Sequence, residues 1–137
     1  MFDRELTPVL IQAAEDYSVV TLTGPRQAGK TTLVRAVFPN HTYLNLEQPD
    51  IRRLAAEDPK QFFHLHPGPV ILDEIQRVPE LLSWIQVAVD EKPRAGQFIL
   101  TGSHQFQLHE AISQSLAGRT ALLTLLPFSL GELTHAG

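Results

Sequence analysis

The stretch GPRQAGKTT, residues 24–32, decides how this chain is read. It follows SVVTLT, a short β-branched run that suits a buried strand, and precedes LVRAVF, which continues at helical spacing until Pro39 and Asn40 stop it. Residues 24–31 fit GxxxxGK[ST], with the strand before and the helix after that the pattern requires. Glycines let a backbone curl so that successive N–H groups face inward, and the first helical turn adds its positive dipole end; together they make a cradle for phosphate. Gly24, Pro25, Arg26, Gln27, Ala28, Gly29, Lys30, Thr31 and Thr32 are the expected cradle. In it, Lys30 reaches the β and γ phosphates and the Thr31 hydroxyl ligates Mg²⁺.

Two other strand ends carry chemistry. Asp73 and Glu74 close the apolar run PVIL. A carboxylate at Asp73 suits a Mg²⁺ held by phosphates and water, and Glu74, one residue on, points elsewhere and accepts a proton from an attacking water. Thr101, Gly102 and Ser103 end the run QFIL. Ser103 is placed either to hydrogen-bond the γ phosphate or the attacking water, or to cap the helix that follows, or both. Arg119, between SLAG and TALLTLL, is a candidate arginine finger, set against the commoner solvated arginine before a strand.

Around these residues strand and helix alternate. An amphipathic helix with Leu6, Leu10, Ala13 and Tyr17 on one face is expected over residues 3–17, and strands over 18–23, 42–47, 69–74, 97–103 and 120–126. Two short helical pieces divide at Pro59. PELLSWIQVAVDE presents Leu81 or Leu82, Ile85, and Ala88 or Val89 on one face, and HQFQLHEAISQSLAG aligns Leu108, Ile112 and Leu116, with Gly118 as its stop. Such alternation predicts an α/β fold of three layers: a mostly parallel sheet with helices on both faces and the polar strand ends along one edge.

Composition removes several classes. With 137 residues the chain suffices for one domain with a real core, and without cysteine it builds neither disulfides nor a thiolate metal site. The longest apolar run, ALLTLLPF, falls far short of the ~20 residues of a membrane helix, and MFDRELTP lacks the layout of a signal peptide, so a soluble, cytoplasmic protein is expected. The net charge is −4 and the 11 Lys and Arg are scattered, which disfavours a nucleic-acid groove. The six histidines, His104 and His109 included, read as surface or capping residues because their spacings do not form a metal set.

Taken together, GPRQAGKTTL, VILDEIQRVPELL, FILTGSHQF and SLAGRTALLTLLPFSLGEL resemble a group of the AAA superfamily: prokaryotic ATPases whose N-terminal P-loop domain precedes a separate C-terminal domain. The resemblance implies a five-stranded sheet in the order 5-1-4-3-2, with ATP or ADP and Mg²⁺ as ligands. It also implies residues 24–32 as Walker A, Asp73 and Glu74 as Walker B, Ser103 as sensor and Arg119 as finger or phosphate sensor. The pattern departs from the group after Leu133, so one P-loop domain over residues 1–137 is expected (helix 1–17, core 18–133, tail 134–137), without the helical lid or the C-terminal domain. Weak nucleotide affinity and slow turnover follow from a missing lid, and self-association from Leu125, Leu126, Phe128 and Leu130 on an uncovered surface.

The leading function is ATP hydrolysis. The alternative is a nucleotide-gated protein-interaction module that binds ATP or ADP without significant turnover. A small-molecule kinase is disfavoured because the paired acids after PVIL suit water activation, and a GTPase because no NKxD segment reads guanine.

Overall fold

The computed structural model describes residues 5–25 and 28–125. Helix α1 (Leu6–Asp16) leads into β1 (Val19–Thr23), and α2 (Lys30–Val37) into β2 (Thr42–Asn45). Helices α3 (Pro49–Glu57) and α4 (Pro59–Leu65) precede β3 (Val70–Asp73). A single 3-10 turn (Ile75–Arg77) then leads to α5 (Leu81–Glu91), β4 (Phe98–Gly102), α6 (Phe106–Leu116) and β5 (Thr120–Thr124). Prolines lie at the first turns of α3 and α4, where the missing N–H costs nothing, and the Asp58 side chain caps α4 by accepting from the Gln61 N–H.

All strand pairs are parallel and the order is β2-β3-β4-β1-β5, the order expected from the resemblance. The three central strands, β3, β4 and β1, are buried along their whole length, which is why they read as continuous apolar runs rather than alternating ones. Side chains still alternate between faces. Val70, Leu72, Phe98 and Leu100 point to one side, where they pack with Ile85 and Val89 of α5 and with Leu108, Ile112 and Leu116 of α6. Ile71, Ile99, Val20 and Leu22 point to the other, against Leu10 and Ala13 of α1 and Leu33 and Val34 of α2.

Two local expectations change. Tyr17 lies just past α1 in extended backbone and is exposed, so the buried face of that helix is Leu10 and Ala13, with Leu6 packed beside them. Leu125 is buried at 5% exposure and belongs to the core on the α1–α2 face, which removes it from any uncovered surface; Leu126, Phe128 and Leu130 lie outside the described residues. His104 and His109, whose five-residue spacing would not share one helical face, meet with ring centroids 4.8 Å apart because His104 sits in the turn before α6. Among the described residues no helix is long and apolar enough to cross a membrane.

Candidate functional site

Because every strand runs the same way, residues that follow β1, β3 and β4 gather at one edge of the sheet. Gly24, just past β1, donates its N–H to the Gly102 carbonyl at 3.1 Å, and Leu125 donates to the Thr23 carbonyl at 2.8 Å, so the strand ends stay zipped beyond the regular ladder. Gly24 is required by space: a methyl there would lie 2.4 Å from the Leu125 carbonyl oxygen, part of the backbone. Gly29 is required by conformation, with φ of +87° at the start of α2 and open space where a side chain would stand. Among the described residues no side chain caps α2, and no acidic residue occupies its first turn, which suits its N–H groups to an anion. Arg26 and Gln27 of the expected cradle lie outside the described residues.

Asp73 gathers hydroxyls from three separate elements. Thr31, in the first turn of α2, donates to both carboxylate oxygens at 3.1 Å. The Tyr43 hydroxyl of β2 donates to Oδ2 and the Thr101 hydroxyl of β4 to Oδ1. The register explains the reach of Tyr43: Asn45 stands opposite Asp73, and Tyr43, two residues earlier, shares its face. Burial first, then the hydrogen bond to Asp73 and its negative charge, push the Tyr43 hydroxyl above its ordinary value and keep it a donor at neutral pH. The Arg35 guanidinium lies 4.2 Å from the centre of the Tyr43 ring and fixes it from the solvent side.

Glu74 turns away from Asp73 because its backbone is left-handed, at φ 63° and ψ 54°, a conformation uncommon for a residue other than glycine. Its N–H is held by the Thr101 hydroxyl at 3.0 Å, so one threonine fixes both acids. The Glu74 carboxylate lies 3.5 Å from Lys30 Nζ, and both side chains are largely buried; Lys30 Nζ also donates to the Pro25 carbonyl at 3.4 Å. Beside this pair opens a cavity of about 380 Å³. Lys30, Glu47, Glu74, Gln76, Arg77, Ser103 and Gln105 line it, and among them Arg77 pairs with Glu47 at 3.2 Å.

Ser103 is brought to this cavity, and its hydroxyl is buried without a hydrogen-bond partner among the described residues. Its expected capping role is overturned: α6 starts at Phe106 and the residue at its cap position is Gln105. Arg119 is not brought to the site. It precedes β5, which puts it at the opposite edge of a parallel sheet, where it donates to both Asp90 oxygens at 2.7 and 2.9 Å and ties the end of α5 to the start of β5. These bonds hold the Asp90 carboxyl below its ordinary value and the Arg119 guanidinium above its own. Gln76, Arg77, Tyr43 and Glu47 went unassigned in the sequence; the one signal for the first two is their place directly after the paired acids.

The residues fit a polyphosphate and a hard divalent ion. An uncapped helix start, a left-handed glycine with open space above it and an unpartnered buried hydroxyl suit phosphate oxygens. Asp73 and Thr31 offer two adjacent protein oxygens, as few as Mg²⁺ takes when phosphate and water supply the rest. Among the described residues no group of three or more His, Asp or Glu stands ready to enclose a metal without such help.

Comparison with known proteins agrees with this architecture. The chain is 40% identical over 126 residues to uncharacterised proteins of Mycobacterium bovis and of Mycobacterium tuberculosis, covering 89% of this chain and 28% of each relative. It thus spans little more than a quarter of the length of those relatives. Among solved structures, the Walker-type ATPase of Pyrococcus abyssi superposes with a TM-score of 0.65 at 22% identity, over 96% of this chain and 55% of that one. The ORC2 protein of Aeropyrum pernix in its ADP form superposes with a TM-score of 0.51 at 15% identity, over 96% and 49%. At these identities the two structures speak for the fold, a P-loop NTPase fold. The profile of the AAA domain family matches residues 16–134, nearly the whole of the sheet and its helices, and the chain belongs to that family.

Proposed function

We propose that this domain binds ATP and hydrolyses it with Mg²⁺ at the edge formed by the ends of β1, β3 and β4. The observation that carries the reading is the adjacency of two pairs, Thr31 with Asp73 and Lys30 with Glu74, beside an open cavity. In this reading the N–H groups at the start of α2 bind the phosphates, together with the Walker A residues Gly24, Pro25, Arg26, Gln27, Ala28, Gly29, Lys30, Thr31 and Thr32. Thr31 and Asp73 hold the ion, which supplies positive charge against the phosphate oxygens when bound.

Glu74 takes a proton from water as the water oxygen bonds to the γ phosphorus, the bond from that phosphorus to the bridging oxygen breaks, and ADP leaves with the electron pair. Lys30 exchanges its contact with Glu74 for the phosphates, and that exchange frees the carboxylate to act. Ser103 donates its unpartnered hydroxyl to the γ phosphate or to the attacking water. Arg119 has no part in this chemistry within one copy of the chain, being at the far edge, and any role as a finger is in trans.

The Lys30–Glu74 contact also favours a second reading, a nucleotide-gated interaction module, because it occupies the base whenever no nucleotide is bound. Mg²⁺-dependent phosphate release decides between the two readings, run with wild type, Glu74→Gln and Lys30→Ala beside calorimetric nucleotide binding. Hydrolysis predicts release by wild type, a loss of roughly 10²–10⁴-fold in Glu74→Gln with binding kept, and loss of binding in Lys30→Ala. Equal release by wild type and Glu74→Gln would remove Glu74 as base. Binding without release by wild type would select the gated module.

A further inference from the structure

The residue two places after Glu74 touches both parts of the site that face the cavity. Gln76 sits in the 3-10 turn that Glu74's left-handed backbone starts. Its Nε2 donates to Glu74 Oε2 at 3.3 Å, and its Oε1 accepts the Ser103 N–H at 3.2 Å. The two partners dictate the orientation of the amide: a backbone N–H requires the oxygen, which turns the NH₂ toward the carboxylate. Gly102 makes the approach possible, since a methyl there would stand 3.1 Å from Gln76 Oε1 and 2.5 Å from a Leu108 methyl. A side chain of this length with one donor and one acceptor is the natural bridge between a carboxylate and an amide N–H. Glutamate would repel Glu74, and lysine would neutralise it and offer Ser103 nothing.

We propose that Gln76 is a positioning residue for the hydrolysis proposed above, on which this inference rests. It holds the Glu74 carboxylate and the Ser103 turn at one spacing, so that the base and the hydroxyl face the same reacting phosphate. Its action is most needed once nucleotide is bound. Among the described residues the Glu74 carboxylate meets Lys30 at 3.5 Å and Gln76 at 3.3 Å. When the phosphates take Lys30, the Gln76 amide is the contact that keeps the carboxylate from swinging, and being neutral it leaves the charge that a base requires. A fixed base is worth far more than a mobile one, because misplacement by about 1 Å costs on the order of 10²-fold in rate.

The test compares wild type with Gln76→Met, which keeps the length and loses both bonds, and Gln76→Glu, which keeps an acceptor for Ser103 and turns the donor facing Glu74 into a like charge. Steady-state phosphate release gives kcat and KM, fluorescence titration gives ADP affinity, and NMR-detected hydrogen exchange reads the Ser103 amide in the nucleotide-free protein. The expected result is a fall in kcat of roughly 10–100-fold in both variants, with KM and ADP affinity within about twofold of wild type. Ser103 exchange should accelerate in Gln76→Met and stay slow in Gln76→Glu. A purely structural role would lower binding and kcat together, and that outcome overturns the proposal, as does wild-type kcat in Gln76→Glu. Unchanged Ser103 exchange in Gln76→Met overturns the bridge whatever the turnover. Absence of phosphate release by wild type is a separate result: it refutes the hydrolysis reading itself, whereas the kcat comparison bears on Gln76 only with an active wild type and the Ser103 exchange bears on it in either case.

Discussion

Replacing Thr101 by valine changes almost nothing in shape and removes the one oxygen that holds both acids. The side chain is fully buried, so no solvent is at hand to replace it. Its hydroxyl accepts the Glu74 N–H at 3.0 Å and donates to Asp73 Oδ1. Valine leaves the Glu74 N–H buried and unpaired, which costs about 1–3 kcal/mol, and takes from Asp73 one of three hydroxyl partners, a bond to a charged group worth about 1.5–3 kcal/mol. The added methyl group returns roughly 0.8 kcal/mol by burial, and relaxation of the neighbouring loop recovers part of the rest, so a net loss of about 2–4 kcal/mol is expected. For 137 residues this lowers the melting temperature by roughly 7–14 °C. Thermal unfolding followed by circular dichroism measures it, with Thr101→Ser as the control that keeps the hydroxyl and loses only a methyl. If Thr101→Val melts within about 2 °C of wild type, or Thr101→Ser falls as far, the hydroxyl is not what holds Asp73 and Glu74.

Other perturbations separate the kinds of force at work. Gly24→Ala should destabilise more than Gly29→Ala in parallel thermal melts. The first drives a methyl into the Leu125 backbone and strains the Leu125-to-Thr23 hydrogen bond, at about 1–3 kcal/mol for overpacking plus about 1 kcal/mol for the bond, whereas the second meets open space and costs about 1–2 kcal/mol of left-handed strain. Arg119→Ala should lower the melting temperature and leave nucleotide affinity by calorimetry within about twofold of wild type, since the residue and the site lie at opposite edges of the sheet. The Asp90 carboxyl is depressed in the folded state by its hydrogen bonds to Arg119, so its contribution is complete above the unfolded value of about 3.9 and lost as pH falls through the lower folded value. Melts of wild type and Asp90→Asn should therefore differ at about pH 6 and draw together as pH falls below about 3.9.

The sheet and half of the site were legible because they depend on local patterns. The central strands appear as apolar runs since they are covered on both faces, and the candidate cradle carries its glycines and lysine at fixed spacing between β1 and α2. Arg119 shows what topology adds to a motif. Parallel strands put residues that follow a strand at one edge and residues that precede a strand at the other, so its place before β5 already separates it from Gly24, Asp73 and Ser103. The remaining features have no local signature. The left-handed turn at Glu74 has its N–H held by Thr101, 27 residues away. The reach of Tyr43 to Asp73 depends on the register between β2 and β3, and the bridge made by Gln76 ends on Ser103, 27 residues away.

The gathering of Thr31, Tyr43 and Thr101 around Asp73 has a consequence for how the domain assembles. Each hydroxyl is separated from the carboxylate by 28 to 42 residues, and the strands between them pair in parallel through crossovers. Such contacts form only after long loops have closed, so the carboxylate finds its partners near the end of folding, and a chain emerging during synthesis lacks the pocket until β4 has docked. A nucleotide then acts as a lock on the finished molecule and not as a template for making it: it retards unfolding while leaving the rate of folding almost untouched.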